Sequence, residues 1–385
     1  MRLGIFLALL ITLTNSAFAQ ASEHSPQLLL TPQRLKRLKR DRDRQTPRWL
    51  NFEERVKNVP DSPERGFELA LYYAITQDET KGREAVEWAK THSCNERQVA
   101  LIRDWVDDSL VPSKDPSQPC PGNKTGPLAA LRDSLFIHAT DTQANGKKLV
   151  ETLLTTDLAN ASEVYAAAEY LAVTRWTQHT DLRENAPQFF NSLPIQFLLS
   201  LKPEQVEHPD WMTHITALAL ISLDPNSDSS QFLQGWAIED RQMIREGPGV
   251  AYELLWADPY LPGVGYQNLD PWWYDEANGR LLARSNWEPN ACWIQITARG
   301  VQQQNCPVNW QTQTASFGHL QLMPVTQGCV ETARAAPNST TLLWKLKPRQ
   351  KIKYSEEKKS MTVEADASGF WRVPANVEGK LCAVR

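Results

Sequence analysis

The spacing of apolar residues along the 385-residue chain changes at one stretch, residues 258–278. Before it, apolar residues recur at helical intervals, as in the helix predicted to start at Ser62. After it, short β-rich runs such as residues 292–297 alternate, and Pro or Gly separates them at intervals of roughly ten residues. The pattern predicts a multi-domain α+β protein, with a helical domain followed by an antiparallel β-sandwich.

Helices in the first part follow one another as hairpins. Residues 62–76 and 80–90 form one predicted pair, and residues 98–110 and 127–140 form the next. Such pairs are typical of tetratricopeptide-like arrays and of α/α toroids, but no period of about 34 residues continues. We therefore predict a toroid-like α/α domain over residues 20–257. Its first two helices start at Thr31-Pro32 and Thr46-Pro47, and the later ones cover residues 146–155, 162–178, 186–200, 209–223, 229–246 and 249–257.

The junction, residues 258–278, is both irregular and aromatic. Three prolines and two glycines between Asp258 and Asp275 argue against a continuous helix or a central strand. Five aromatic rings in the same stretch make it too apolar for a solvated linker. We predict that it lies along the seam with the sandwich, residues 279–385, where ligands commonly bind.

The N-terminus predicts export. Residues 1–19 combine one positive charge, a short apolar core and an Ala-Phe-Ala site, which is the pattern of a secretory signal peptide. No later apolar run is long enough to span a bilayer. A net charge of −4 favours neither nucleic acid nor a polyanion as an overall partner. We expect a periplasmic or secreted protein without a membrane span in its mature chain.

Six cysteines in an exported chain predict disulfides. Pairing within domains gives Cys94–Cys120 in the helical part. The other four allow three connectivities, of which we favour Cys292–Cys306 and Cys329–Cys382. Since no CxxC or CxxH spacing occurs, we expect no metal site, and nothing in the sequence calls for a cofactor.

Two stretches carry a resemblance to a known family. Residues 69–78 (LALYYAITQD), followed by AVEWA at residues 85–89, form one, and residues 274–287 (YDEANGRLLARSNW) form the other. Together with the order of helical domain and sandwich, they resemble heparinase II/III-like and alginate-lyase-like polysaccharide lyases. The resemblance implies an α/α toroid, a β-sandwich and cleavage of an acidic polysaccharide by β-elimination.

The chain lacks two sequence motifs that such lyases use in catalysis. Such lyases usually carry an Asn-His pair on a toroid helix, and this sequence has no Asn-His dipeptide. Many also carry a histidine-rich cluster before a Gly-Ser-Phe strand. Here the strand reads Ala315-Ser316-Phe317, and the preceding residues 309–314 (NWQTQT) contain no imidazole or carboxylate.

Candidate site residues follow from the needs of β-elimination, which are a base and a group that neutralises the uronate carboxylate. The predicted bases are His138, Tyr252 and Tyr266, although a satisfied histidine or tyrosine is the commoner role for each. The predicted substrate-binding residues belong to the aromatic and charged set around the junction. They are Trp236, Asp240, Arg241, Trp272 and Trp273.

Most of the aromatic rings between residues 236 and 293 are expected to hold the two domains together, with one or two facing a cleft. Trp272 and Trp273 point to opposite faces if the chain is extended. Helix-surface ion pairing is the alternative role for Asp240 and Arg241.

Two basic stretches are candidates for a polyanion. The helix from Pro32 to Arg44 is strongly basic, and the alternative is a solvated helix whose Leu35 and Leu38 pack inward while Asp41 and Asp43 offset the charge. Lysines between residues 345 and 359 either hold an acidic polysaccharide or protect an edge strand from aggregation.

Two functional hypotheses follow. One is an exported enzyme that cleaves an acidic polysaccharide, and the other is a non-catalytic exported glycan-binding or scaffold protein with the lyase architecture. Nucleic acid is not an expected partner in either case.

Overall fold

A computed structural model describes residues 28–106, 110–111, 126–136, 142–239, 243–297, 299–326, 328–356 and 359–384. The predicted signal peptide, residues 1–19, lies outside them. Within these ranges thirteen α-helices come first and β-strands follow. The helices are α1 Pro32–Asp43, α2 Pro47–Asn58, α3 Arg65–Thr76, α4 Glu79–Thr91, α5 Glu96–Trp105, α6 Pro127–Phe136, α7 Thr142–Thr155, α8 Ala161–Thr177, α9 Pro187–Ser200, α10 Pro203–Glu207, α11 Trp211–Leu223, α12 Asp228–Glu239 and α13 Gly249–Trp256.

The first two helices begin as the Thr-Pro pairs predict. The Oγ1 atom of Thr31 accepts a hydrogen bond from the backbone N–H of Arg34 at 3.2 Å, and Thr46 does the same for Trp49 at 3.4 Å. Each threonine satisfies a backbone donor that the first helical turn leaves free, and proline at the first position loses no helical bond. α1 and α2 are thus held at their N-terminal ends by local sequence.

Other helix boundaries differ from the predicted ones because a better cap lies nearby. Asp210 caps α11, accepting from the N–H of Thr213 at 2.7 Å, so the helix begins at Trp211 rather than at residue 209. Asn95 caps α5, which therefore begins at Glu96 and ends at Trp105, short of residue 110. The separate short helix α10 was not predicted.

The twelve strands of the described residues form three four-stranded sheets. Their orders are β1-β2-β3-β4, β10-β9-β12-β7 and β11-β8-β6-β5. The strands are β1 Trp272–Asp275, β2 Arg280–Arg284, β3 Trp293–Thr297, β4 Gly300–Gln304, β5 Ala315–Phe317, β6 Leu320–Pro324, β7 Cys329–Thr332, β8 Thr340–Trp344, β9 Lys351–Glu356, β10 Lys359–Glu364, β11 Trp371–Val373 and β12 Gly379–Ala383.

One pairing departs from the predicted antiparallel arrangement. β6 and β8 are parallel, with Leu322 opposite Leu342. The intervening strand β7 pairs with β12 in a different sheet, so the chain returns to the side of β6 in its original direction. The strand region is therefore mostly, not wholly, antiparallel.

The junction is less irregular than its prolines and glycines suggest. Its last part is β1, an edge strand in which Trp272 lies opposite Ala283. Pro271 immediately precedes this strand, a place where its missing N–H removes no hydrogen bond from the ladder. Trp272 and Trp273 occupy successive strand positions, so their side chains alternate between faces as predicted.

The largest buried apolar cluster consists of residues up to Ala257, and two smaller clusters lie among the strands. Hydrogen bonds cross between the two parts. The indole Nε1 of Trp293 donates to the carbonyl of Leu199 at 2.9 Å, and Nη2 of Arg280 donates to the carbonyl of Leu154 at 2.8 Å. These contacts hold β2 and β3 against the helices.

Both predicted disulfides of the strand region are confirmed, Cys292–Cys306 and Cys329–Cys382. Cys94 is also disulfide-bonded, and Cys120 lies outside the described residues. Disulfides are typical of proteins in oxidising compartments.

Candidate functional site

A large open groove runs beside α1. Its volume is about 1580 Å³. Its walls are α1, the C-terminal ends of α8 and α11, the last residue of α13 (Trp256), and the start of the junction from Asp258 to Leu261. This places a long cavity against the basic helix and the aromatic segment together.

Arg34 forms part of the groove lining and is the most unusual side chain there. Its guanidinium carbon lies 4.3 Å from the ring centroid of Trp176 and 4.5 Å from that of Trp256, so the group occupies the notch between two indoles. Arg34 as a whole is only 8% exposed. Its one side-chain hydrogen bond to a described residue runs from Nη1 to the carbonyl of Leu29, at 2.6 Å.

The charge of Arg34 has no carboxylate partner among the described residues. Burial, and secondarily the charge of Arg37, lower the pKa of Arg34 to about 9, so the guanidinium is still protonated at neutral pH. A buried guanidinium normally has an anion beside it, because an unpaired charge in a poorly solvated place is costly. The cation–π contacts with the two indoles offset part of this cost.

Further arginines on the same side of α1 contact the junction segment. Arg37 donates from Nη2 to the carbonyl of Leu255 at 2.7 Å and lies 3.6 Å from a carboxylate oxygen of Asp258. The guanidinium of Arg40 lies 5.0 Å above the ring of Tyr260, which is 62% exposed. Since these residues are three positions apart, the positive charges recur about once per helical turn.

The groove is positively charged although the chain is not. Its described lining contains six cations and two acids, and no described acid forms an ion pair with Lys36, Lys39 or Arg40. The cations are Arg34, Lys36, Arg37, Lys39, Arg40 and Arg175, and the acids are Asp43 and Asp258. Leu38 is buried and Leu35 packs against the core, as the solvated-helix alternative expects, yet that alternative does not account for Arg34.

A second feature is a polar network buried inside the helical part. The hydroxyl of Tyr252 donates to Oε2 of Glu64 at 2.7 Å and accepts from Nη1 of Arg97 at 2.9 Å. Arg97 also forms a two-pronged ion pair with Glu169, at 2.9 and 2.5 Å. Tyr165 donates to the same carboxylate at 2.6 Å.

Burial and ion pairing shift the pKa values of the side chains in this network. Burial raises the pKa of Tyr252 well above its ordinary value, and burial also raises that of Glu64 against the opposing effect of Arg97. Burial opposes ionisation of Glu169 too, but its pairing with Arg97 and Arg132 outweighs burial and lowers its pKa.

The groove and the network are connected. The indole Nε1 of Trp256, whose ring contacts Arg34, donates to the hydroxyl of Tyr165 at 3.0 Å. A chain of hydrogen bonds therefore leads from the groove through Tyr165, Glu169 and Arg97 to Tyr252. The network fixes the orientation of Trp256 and so supports the lining of the groove.

A third feature is a smaller pocket of about 310 Å³ at the seam. Three aromatic side chains, Trp236, Tyr266 and Trp287, line it, together with Glu207 and Glu288. The rings of Tyr266 and Trp287 are nearly perpendicular, with centroids 5.2 Å apart. This pocket brings together two of the predicted site residues, Trp236 and Tyr266. We call it the seam pocket.

Three other predicted site residues, Tyr252, Trp272 and Trp273, do not line the seam pocket. Tyr252 is 3% exposed, and its neutral, doubly hydrogen-bonded hydroxyl is a poor base. Trp272 and Trp273 are half-buried on β1 and line neither cavity. His138, Asp240 and Arg241 lie outside the described residues, so their roles stay predictions.

Sequence reasoning considered the basic helix but not its partner Trp176. That indole lies at the C-terminal end of α8, far from α1 in the chain, and nothing local signals the contact. In the sequence, Trp256 is one of many aromatic residues near the junction. The arrangement of Arg34 between two indoles therefore required the structure.

No group of His, Cys, Asp or Glu in the described ranges is arranged to hold a metal ion. Among the helices of those ranges, none is long and apolar enough to cross a membrane. No protein-family model matches the chain, and no curated protein is significantly similar to it.

Proposed function

We propose that this protein binds an acidic polysaccharide in the groove beside α1, through Arg34 and the row of cations that follows it. The observation that carries the proposal is the Arg34 guanidinium, which is buried against two indoles, lines a groove of about 1580 Å³ and has no carboxylate partner in the described part of the chain. A uronate carboxylate would supply the missing partner, because the planar guanidinium donates to a carboxylate through two parallel N–H groups.

The rest of the groove supports a chain-like ligand rather than a small anion. Lys36, Lys39 and Arg40 follow Arg34 along α1 and line the groove without an ion pair to a described acid, so several acidic groups of one chain can be neutralised together. The exposed ring of Tyr260 offers an apolar face on which the C–H face of a sugar can stack.

Binding without cleavage is the form of the hypothesis that the geometry favours. Tyr252 has a buried, raised-pKa hydroxyl inside a closed network, and no histidine lines the groove among the described residues. We propose a distant, non-catalytic relation to heparinase-like lyases, in which the helices form a toroid and the sheets a sandwich. The succession of helical hairpins and four-stranded sheets supports this description. Export to the periplasm or beyond belongs to the same proposal, and the disulfides support it.

The experiment is a binding titration with acidic and neutral oligosaccharides. Calorimetry with oligomers of a uronic acid should give affinity that rises with chain length and weakens as salt is added, whereas neutral dextran oligomers should not bind the groove. Arg34→Gln should weaken binding by about 10- to 100-fold, because a charge-assisted hydrogen-bonded pair contributes about 1.5–3 kcal/mol.

The matched control is Arg83→Gln, which removes the same charge from an exposed position on α4 and should leave affinity unchanged. Equal affinities for the Arg34 and Arg83 variants, with both folded by circular dichroism, would refute the proposed site. Release of unsaturated uronate, followed by its absorbance, separates cleavage from binding. Such release by the wild-type protein would restore the lyase hypothesis.

A further inference from the structure

The seam pocket has a lining opposite in charge to that of the groove. Two carboxylates, Glu207 and Glu288, lie at its edge, and none of its described lining residues is Lys or Arg. Both glutamates are exposed and belong to different parts of the chain, one to α10 and one to the loop between β2 and β3. These carboxylates disfavour an acidic sugar here, and the buried guanidinium of Arg284, which lies against Trp287, offsets them only in part.

The aromatic side chains of the pocket are held in place by contacts with neighbouring residues. The indole Nε1 of Trp236 donates to the carbonyl of Val206 at 3.0 Å. The ring of Trp287 has the guanidinium carbon of Arg284 at 4.3 Å from its centroid, and Arg284 is fully buried. The ring of Tyr266 stands at 89° to that of Trp287. The walls are therefore preorganised, and a ligand does not have to assemble them.

We propose that the seam pocket is a second ligand site, which binds one sugar ring that carries no acidic group. Its volume of about 310 Å³ is at the small end of ligand pockets and suits a single ring. The perpendicular aromatic rings offer an apolar face to the C–H side of the sugar. The carboxylates of Glu207 and Glu288 can each accept hydrogen bonds from sugar hydroxyls.

The proposal does not depend on the function assigned to the groove, because the two cavities share no lining residue among those described. If both sites are occupied together, the protein recognises glycans that contain acidic and uncharged sugars. The two sites can be tested separately, since variants of one leave the other intact.

The test uses methyl glucopyranoside and methyl glucuronopyranoside as probes, with saturation-transfer NMR on the full mature protein that carries Arg34→Gln, so that the groove does not contribute glucuronide binding. The uncharged glycoside should bind, and the glucuronide should bind at least several-fold more weakly. Tyr266→Ala should abolish binding of the uncharged glycoside. Glu288→Gln, at an exposed position whose side chain forms no hydrogen bond or ion pair with a described residue, should weaken it several-fold and reduce the discrimination against the glucuronide.

Val308→Ala is the control for loss of an exposed apolar side chain, since Val308 lines neither the groove nor the seam pocket. It should leave binding of the uncharged glycoside unchanged, and Glu288→Gln should leave uronate-oligomer binding unchanged. The proposal is overturned if neither probe binds, if the glucuronide binds as well as the uncharged glycoside, or if Glu288→Gln has no effect in a folded protein. None of these results bears on the Arg34 titration, so failure of one proposal leaves the other standing.

Discussion

Removing Glu169 should be one of the most destabilising single changes in the helical domain. The side chain of Glu169 is fully buried, and its carboxylate is the acceptor for Arg97, Arg132 and Tyr165. Arg97 is itself 7% exposed at its side chain, so Glu169→Ala leaves a buried guanidinium whose remaining polar contacts to described residues are the Tyr252 hydroxyl at 2.9 Å and Glu64 at 3.3 Å. Removing one partner of a buried ion pair costs about 3–5 kcal/mol.

The assay is urea unfolding of the disulfide-intact protein, followed by circular dichroism. With an m-value of roughly 3 kcal/mol/M, the midpoint should fall by about 1–1.7 M. The control is Glu79→Ala, which breaks an ion pair with Arg83 whose side chains are 83% and 70% exposed, and should cost less than about 1 kcal/mol. If Glu169→Ala moved the midpoint no further than Glu79→Ala, the network would not be a stabilising element of the fold, and its supporting role for Trp256 would fail with it.

Two further predictions concern the titration of His214 and sugar stacking on Tyr260 in the groove. Burial, with the charge of Arg48 as a lesser cause, lowers the pKa of His214 from 6.5 to about 4, so the unfolded chain takes up the proton first as the pH falls. Stability should therefore decrease between about pH 6.5 and 4, by up to about 3 kcal/mol, and this decrease should be smaller in His214→Gln but not in the exposed-histidine variant His208→Gln. If His214→Gln lost as much stability over this pH range as the wild-type protein, His214 would not titrate as its burial requires. Tyr260→Ala should weaken uronate-oligomer binding by about three- to tenfold without changing the unfolding midpoint, because its ring is exposed; unchanged affinity would exclude stacking there.

Local signals were sufficient for much of the fold. In Thr31-Pro32 and Thr46-Pro47, the threonine supplies an N-cap and the proline a helical φ. The helices α1 and α2 begin at these prolines. The Cys292–Cys306 bridge followed from the short separation of two cysteines across a predicted hairpin. Such features depend on a few neighbouring residues, which a single sequence contains.

Features that depend on distant parts of the chain were not predictable. The parallel pairing of β6 with β8 results from β7 joining another sheet, and no residue of β6 signals it. The contact of Arg34 with Trp176 joins helices that are remote in the sequence. A pocket lies beside Tyr266 in the aromatic junction, but aromatic density in the sequence does not distinguish it from the larger groove beside α1.

The most direct test of the central claim is a crystal structure of the protein with an acidic tetrasaccharide. The account predicts a uronate carboxylate within hydrogen-bond distance of the Arg34 guanidinium and a sugar ring near Tyr260. A ligand bound instead on the exposed lysines of β9, Lys351 and Lys353, with the groove empty, would contradict it.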